Sequence, residues 1–130
     1  MSKFALVLNG LVMTMICFRS LVGPESFLGD YGVHLSSATA LAEARSIHGG
    51  GFGALALLAW LGLFRTDFRV TGLRVAAFVM LGLAAGRLVG VVVDGATDSV
   101  TWTATVVELV LGGLAVAALR RESVSASSPG

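Results

Sequence analysis

Four long apolar stretches constrain this chain more than any other feature of its sequence. They cover residues 4–23, 45–64, 73–93 and 102–119. A helix that crosses the hydrocarbon core of a bilayer needs roughly 20 mostly apolar residues, and each stretch is close to that length. Charged residues make up only 13% of the chain, whereas soluble domains carry about 25%. The sequence therefore predicts an all-α membrane protein, a four-transmembrane-helix antiparallel bundle over residues 1–121, followed by a disordered tail at 122–130.

Basic residues near the span ends predict the orientation of this bundle. Six of the nine Lys and Arg residues fall on one side, namely Lys3, Arg65, Arg69, Arg74, Arg120 and Arg121. Lys and Arg concentrate in cytoplasmic loops, so both termini and the tail are expected in the cytoplasm. The first stretch is expected to remain as a helix, because Arg19 occupies the region where a signal-peptide cleavage site needs small, neutral residues. Arginine outnumbers lysine eight to one, a bias typical of GC-rich bacterial genomes, so the expected location is the bacterial cytoplasmic (inner) membrane.

Glycines at helical spacing predict where the helices approach one another. Five of them are candidates for close helix packing: Gly49, Gly53, Gly82, Gly86 and Gly90. Small residues let helix backbones approach closely in a bilayer. The favoured interpretation is packing within the chain, and the alternative is a homo-oligomer interface. Asn9 and Thr14 in the first span are expected to add hydrogen bonds between helices.

Two charges of opposite sign lie at similar depths in the third and fourth spans. Arg87 precedes Asp94 by seven residues and Glu108 follows Trp102 by six, which corresponds to about 10 Å and about 9 Å along a helix. The two spans are joined by a short loop and are therefore antiparallel neighbours. An isolated charge inside a span costs a few kcal/mol unless it is paired or hydrated. We therefore expect an ion pair between Arg87 and Glu108.

Further polar residues are expected at the same level, in one cluster open toward the outside. The candidate cluster is Arg19, Glu43, Arg45, His48, Arg87, Asp94 and Glu108. The loop at 24–39 mixes Phe27 and Tyr31 with acidic residues and serines, and is expected to fold over the bundle mouth or onto the bilayer surface. Three interpretations of the cluster stay open: ion pairs that fix helix register, a pocket for a small anionic or lipid-like ligand with the arginines as anion contacts, and a proton relay through Glu108 and His48.

Several chemistries lack the residues that they need. The chain has one cysteine, Cys17, and two histidines, His34 and His48. These are too few to predict a disulfide framework, a metal site or a haem. No nucleophile elbow, Walker loop or zincin motif occurs, and no basic patch predicts nucleic-acid binding. We expect no cofactor, and an enzyme with Glu108 and His48 as an acid–base pair is only a weak alternative.

Three motifs together resemble a known family. They are EARSIHGG at 43–50, GLAAGRLVG at 82–90 with the Asp94-Gly95 exit, and Glu108 in the last span. This pattern resembles the bacterial four-span membrane proteins grouped as domain of unknown function 4345 (DUF4345), over nearly the whole chain. The resemblance implies the fold and the membrane location but no activity. Tyrosine is common in that family at the position of His48, which argues against a role that only histidine can fill.

Two functions follow as hypotheses from these patterns. The favoured one is an accessory or scaffold subunit in the membrane, which acts alone, self-associates as a homo-oligomer or joins a larger complex. The alternative is the binding or transport of a small anionic or lipid-like ligand in the outward-facing polar cluster.

Overall fold

The computed structural model describes the backbone of residues 1–127 and the side chains of residues 1–123. Its helices are α1 (Ser2–Val22), α2 (Pro24–Gly29), α3 (Ala38–Ala44), α4 (Phe52–Phe64), α5 (Thr66–Asp94) and α6 (Ser99–Ser127), and a π-helical segment, Arg45–Gly51, joins α3 to α4. Four stretches are long and apolar enough to cross a membrane: Ser2–Val22, Ala38–Phe64, Thr66–Asp94 and Ser99–Ser123. We refer to them as the first to fourth spans. The predicted all-α fold, with four helices long and apolar enough to cross a membrane, is confirmed.

The helices extend further than the apolar stretches that predict them. The second span begins at Ala38, where the Ser37 hydroxyl accepts a hydrogen bond from the Ala40 N–H at 3.1 Å and caps the helix. A single extended residue, Arg65, separates the second span from the third, so Arg69 and Arg74 lie inside α5 and not in a loop. Charged residues at the end of a span can continue the helix as readily as apolar ones. The apolar stretch therefore indicates which part of the helix lies in the hydrocarbon core, and not where the helix ends.

The last helix also continues past its apolar stretch. α6 is helical to Ser127, within the segment for which the sequence predicts a disordered tail. Neither glycine nor proline occurs between residues 114 and 128, so nothing in this stretch breaks the helical hydrogen-bond ladder. Residues 128–130, the rest of that predicted tail, lie outside the described residues.

One end of the bundle, where α1 begins and α6 approaches its end, is tightly packed. Its fully or almost fully buried residues are Ala5, Leu6, Leu73, Ala76, Ala115 and Ala118, and we call this region the closed end. Gly72 lets α5 approach α4 there, because a Cβ at this position would lie 2.9 Å from the Leu58 carbonyl oxygen and 3.2 Å from Leu6 Cδ2. Small residues thus bring the helix backbones together, as expected where lipid supplies little hydrophobic drive for association.

Polar side chains connect the helices within the bundle. The fully buried Asn9 donates from Nδ2 to the Ala5 carbonyl at 2.9 Å and to the Leu111 carbonyl of α6 at 3.4 Å. The Trp60 indole N–H donates to the Thr14 hydroxyl at 3.0 Å and joins α4 to α1. The hydrogen bonds between helices that the sequence predicts for Asn9 and Thr14 are therefore present.

The five candidate packing glycines divide into two groups. Gly49 and Gly53 lie against α1, since an added Cβ would lie 2.5 Å from Leu21 Cδ2 or 3.0 Å from Cys17 Sγ. Among the described residues, no such neighbour lies within 4 Å of Gly82 or Gly86, and Gly90 faces only Asp94 of its own helix. Packing within the chain is thus found for the first pair and is wrong for the other three glycines.

The orientation of α5 about its own axis explains why Gly82, Gly86 and Gly90 do not pack against another helix of the chain. Its buried stripe consists of Gly72, Leu73, Ala76, Ala77, Met80 and Ala84. Gly82 and Gly86 each follow a member of that stripe by two residues, which is about 200° around a helix. The glycine track therefore lies on the side of α5 that faces away from the bundle.

Candidate functional site

An ion pair joins the third and fourth spans at the end opposite the closed end. Arg87 Nε donates to both carboxylate oxygens of Glu108, at 3.0 Å and 3.1 Å. Glu108 is only 6% exposed. α5 ends at Gly95, which has a left-handed φ of 69°, and α6 begins at Ser99, so a short turn returns the chain antiparallel and places the two side chains at one level. The predicted pair is confirmed.

The segment after the first span folds over this pair. α2 places Phe27 and the following turn places Tyr31, whose rings meet edge to face at 5.7 Å between centroids. The Arg87 guanidinium carbon lies 5.4 Å from the centre of the Tyr31 ring, within the range of a cation–π contact. Tyr31 therefore covers Arg87 from the loop side, in agreement with the expectation that this loop folds over the bundle mouth.

A second ion pair anchors the covering segment to α1. Arg19 Nη2 donates to Asp30 Oδ2 at 2.7 Å, and the Arg19 guanidinium carbon lies 5.3 Å from the centre of the Phe27 ring. Both charged side chains are about half exposed, at 43% and 53%. An exposed pair of this kind contributes little stability, so its main consequence is geometric: it holds the segment beside α1.

The π-helical segment brings His48 to the site from the second span. Three consecutive glycines end this segment, at 49–51. Glycine destabilises an α-helix because it loses more conformational entropy on folding than any other residue. The His48 ring stacks on Phe52 with centroids 6.5 Å apart and meets Phe27 at 6.0 Å. Its Nδ1 atom is buried and has no hydrogen-bond partner among the described residues. Short π-helical stretches are frequent at functional sites in proteins.

Two adjoining cavities of about 360 Å³ and 280 Å³ meet at these residues. They share six lining residues: Ile16, Phe27, Tyr31, Leu83, Arg87 and Glu108. The larger cavity extends between α1 and α6, past Met15 and Val107. The smaller one extends to His48 and Phe52 of the second span. We call this region the cavity end of the bundle.

Four of the seven candidate cluster residues line these cavities, namely Arg19, His48, Arg87 and Glu108. Glu43, Arg45 and Asp94 are exposed and lie outside the cavity walls. Arg45 donates from Nε to the Leu21 carbonyl oxygen at 3.1 Å. The single layer of all seven residues that the sequence predicts is therefore not formed.

The π-helix also explains why Arg45 and His48 separate. Residues three apart share a face in an α-helix, so the predicted cluster could hold both side chains only if this segment were α-helical. A π-helix bonds each residue to the fifth along the chain and has a wider turn. Arg45 accordingly lies against the end of α1, while His48 points between Phe27 and Phe52.

Sequence reasoning missed the residues that complete the walls. Ile16, Leu83 and Phe52 line the cavities, but apolar residues in an apolar span carry no signal that separates a cavity wall from a lipid-facing surface. The partner of Arg19, Asp30, was also missed, because the path of the covering loop decides that pairing. Among the described residues, no group of three or more His, Cys, Asp or Glu side chains is arranged to hold a metal ion.

These features define a class of protein: an all-helical, multi-pass membrane protein with an ion pair buried between two of its spans. The chain belongs to the DUF4345 family, described as a domain of unknown function, whose model matches residues 1–119. No curated protein and no solved structure shows significant similarity to this chain.

Proposed function

We propose that the cavity end binds a small amphiphilic molecule taken from the membrane, and that the protein works as a carrier or sensor for that molecule. The observation that supports this function best is the convergence of two largely apolar cavities on one buried ion pair. Small-molecule sites are typically concave, mostly apolar and equipped with a few polar groups that orient the ligand. The lining residues described above fit that description.

Lateral access from the bilayer supports an amphiphile as the ligand. Met15 of α1 and Val107 of α6 both line the larger cavity and are 53% and 40% exposed. Because α1 and α6 are two of the expected spans, an opening of the cavity between them would face lipid. A molecule with an apolar tail could enter between α1 and α6 without passing through water.

The proposed location follows from the predicted orientation. With both termini in the cytoplasm of a bacterial cell, the cavity end would lie in the outer leaflet of the cytoplasmic membrane. Fusing a reporter that is active only in the cytoplasm to either terminus tests this placement, and activity at both termini is expected. An inactive reporter at both termini would reverse the orientation and place the cavity in the inner leaflet.

A cavity-filling variant tests the binding function. Ala104 of α6 lines the larger cavity, so Ala104→Trp should occupy the space of the ligand. Leu109→Trp is the matched control, because Leu109 lies on the same helix, is 45% exposed and stands outside both cavity walls. Native mass spectrometry of protein purified in mild detergent should detect bound amphiphile on the wild type and on Leu109→Trp. Loss of occupancy in Ala104→Trp alone is expected.

Two other results would contradict binding in the cavity. Equal occupancy of Ala104→Trp and Leu109→Trp would place the bound molecules on the outer surface of the bundle. Wild-type protein free of bound amphiphile, also after incubation with membrane lipids, would contradict the binding function. The accessory or scaffold role that the sequence favours stays a prediction, since the described residues identify no partner surface.

A further inference from the structure

We infer that the polar head of the ligand is uncharged and presents carbonyl-type acceptor oxygens. This inference rests on the proposed function, because it specifies the chemistry of the molecule that the cavities would bind. Its starting point is the charge balance of the cavity walls. The two guanidinium groups that line the cavities, those of Arg19 and Arg87, each already face a carboxylate.

An anionic head would have to compete with these carboxylates. Arg87 is the arginine that lines both cavities, and a phosphate or carboxylate on it would displace Glu108 or add a second negative charge beside it. Removing one partner of a buried pair leaves an uncompensated charge and is strongly unfavourable. An anionic head at Arg19 or Arg87 would thus compete with a carboxylate that is already in place, and Arg45 lies outside the cavity walls.

The donors that remain at the pair favour a neutral acceptor. Arg87 bonds Glu108 through Nε, and its two terminal nitrogens have no acceptor among the described residues. A guanidinium carries five N–H donors and no acceptor, so about four donors remain for a ligand or water. The polar centre of the cavities is therefore rich in donors that a carbonyl oxygen satisfies without adding charge.

His48 supplies a second polar contact in the adjoining cavity. Its buried Nδ1 has no partner among the described residues, and Phe27 and Phe52 flank the ring. A buried polar atom without a partner costs about 1–3 kcal/mol. In the tautomer with the proton on Nδ1, a carbonyl oxygen of the ligand would accept a hydrogen bond from it and remove that cost. A head with two polar oxygens, set among aromatic walls and attached to an apolar tail, matches this arrangement. Diacylglycerol-type esters and lipid-soluble quinones both have this chemistry.

Binding of three ligands to the full-length protein in a neutral detergent tests this inference. Dioctanoylglycerol and dioctanoyl phosphatidic acid share their tails and ester carbonyls and differ only in the phosphate. A quinone with a decyl tail presents ring carbonyls in place of esters. Isothermal titration calorimetry should give a dissociation constant about tenfold lower for dioctanoylglycerol than for phosphatidic acid, the size expected from one unpaired buried group. The ranking of dioctanoylglycerol against the quinone then distinguishes ester from ring carbonyls as the natural head.

The outcomes separate this inference from the proposed function. Equal or tighter binding of phosphatidic acid would overturn the uncharged head but leave a binding site for amphiphiles. Absence of binding for all three ligands would overturn both. His48→Phe should weaken binding of the preferred neutral ligand about tenfold, and His34→Phe, the same change at an exposed loop histidine, should leave it unchanged. Equal affinity of the two variants would remove His48 from the site.

Discussion

The closed end and the cavity end of the bundle use the same helices in different ways. At the closed end, alanine, glycine and a few larger residues such as Leu6 and Leu73 exclude solvent and lipid completely. At the cavity end, the same helices separate around Arg87 and Glu108, and two cavities remain between them. Many contacts between small apolar side chains join the helices at the closed end, whereas a few polar contacts join them at the cavity end.

This difference has a physical origin in the side chains of α5 and α6. Ala76, Ala77 and Ala115 are small and buried where the helices pack closely, whereas Arg87 and Glu108 are long side chains that border two cavities. Loop residues then cover the opening, through Phe27 and Tyr31. The closed end thus holds most of the fully buried residues, and the proposed site lies at the cavity end.

Removal of one partner of the ion pair at the cavity end should cause the largest loss of stability. Glu108→Leu leaves the Arg87 charge without its carboxylate and should lower the free energy of unfolding by about 3 kcal/mol or more. Equilibrium unfolding in mixed micelles measures this change. The double variant Arg87→Leu with Glu108→Leu removes both charges and should recover most of the loss. A double variant as unstable as the single one would show that the pair stabilises the bundle by more than charge compensation.

A single methyl group added at the closed end should have the next largest effect. Gly72→Ala places a Cβ 2.9 Å from the Leu58 carbonyl oxygen, and overpacking of this kind costs about 1–3 kcal/mol. Gly82→Ala is the matched control on the same helix, because no neighbour lies within 4 Å of that position among the described residues. Thermal unfolding should therefore show a lower Tm for Gly72→Ala and an unchanged or higher one for Gly82→Ala. Equal shifts would contradict the difference between the two faces of α5.

A smaller effect is expected between the two ends, where Trp60 donates to Thr14. Thr14→Val keeps the shape of the side chain but removes the hydroxyl, and hydrogen bonds between membrane helices contribute about 0.6 kcal/mol on average. Thr14→Ser retains the acceptor and should show a smaller loss. Unfolding free energies of the two variants provide the measurement, and a greater loss for Thr14→Ser would point to packing of the Thr14 methyl group instead.

The smallest effect concerns the loop at the cavity end and depends on pH. The Thr101 N–H donates to Asp98 at 2.9 Å and the Thr101 hydroxyl at 2.8 Å, and these bonds, the backbone one first, lower the pKa of Asp98 below its ordinary value of 3.8. A depressed pKa in the folded state means that the stabilisation is present above the ordinary pKa and is lost as pH falls through the folded one.

Asp98→Asn tests this contribution, because asparagine keeps a helix-capping side chain but does not titrate. The Tm of the wild type should fall relative to that of Asp98→Asn as the pH decreases from neutral to about 3. The other carboxylates titrate in both proteins, so the difference isolates Asp98. A Tm difference that is constant over this range would show that Asp98 titrates alike in the folded and unfolded states.

Much of the fold was predictable because it depends on properties of single helices. The number of spans follows from apolar length, and the Arg87–Glu108 pair follows from depth and from the cost of an isolated charge in hydrocarbon. The site was less predictable. The sequence places Arg45 beside His48 on the assumption of an α-helix, and the π-helical segment separates them. The glycine track on α5 satisfies the spacing for close packing, yet it faces away from the bundle.

The sequence by itself determined the four antiparallel helices and the meeting of opposite charges between the last two, because bilayer thickness and charge burial act on each span separately. Only the tertiary structure decided which side of α5 packs, where Arg19 finds its carboxylate and how much space remains around Arg87. These features depend on the orientation of each helix about its axis and on the path of the loop that covers the bundle. Both are set by contacts among several segments at once, which no single segment of sequence determines.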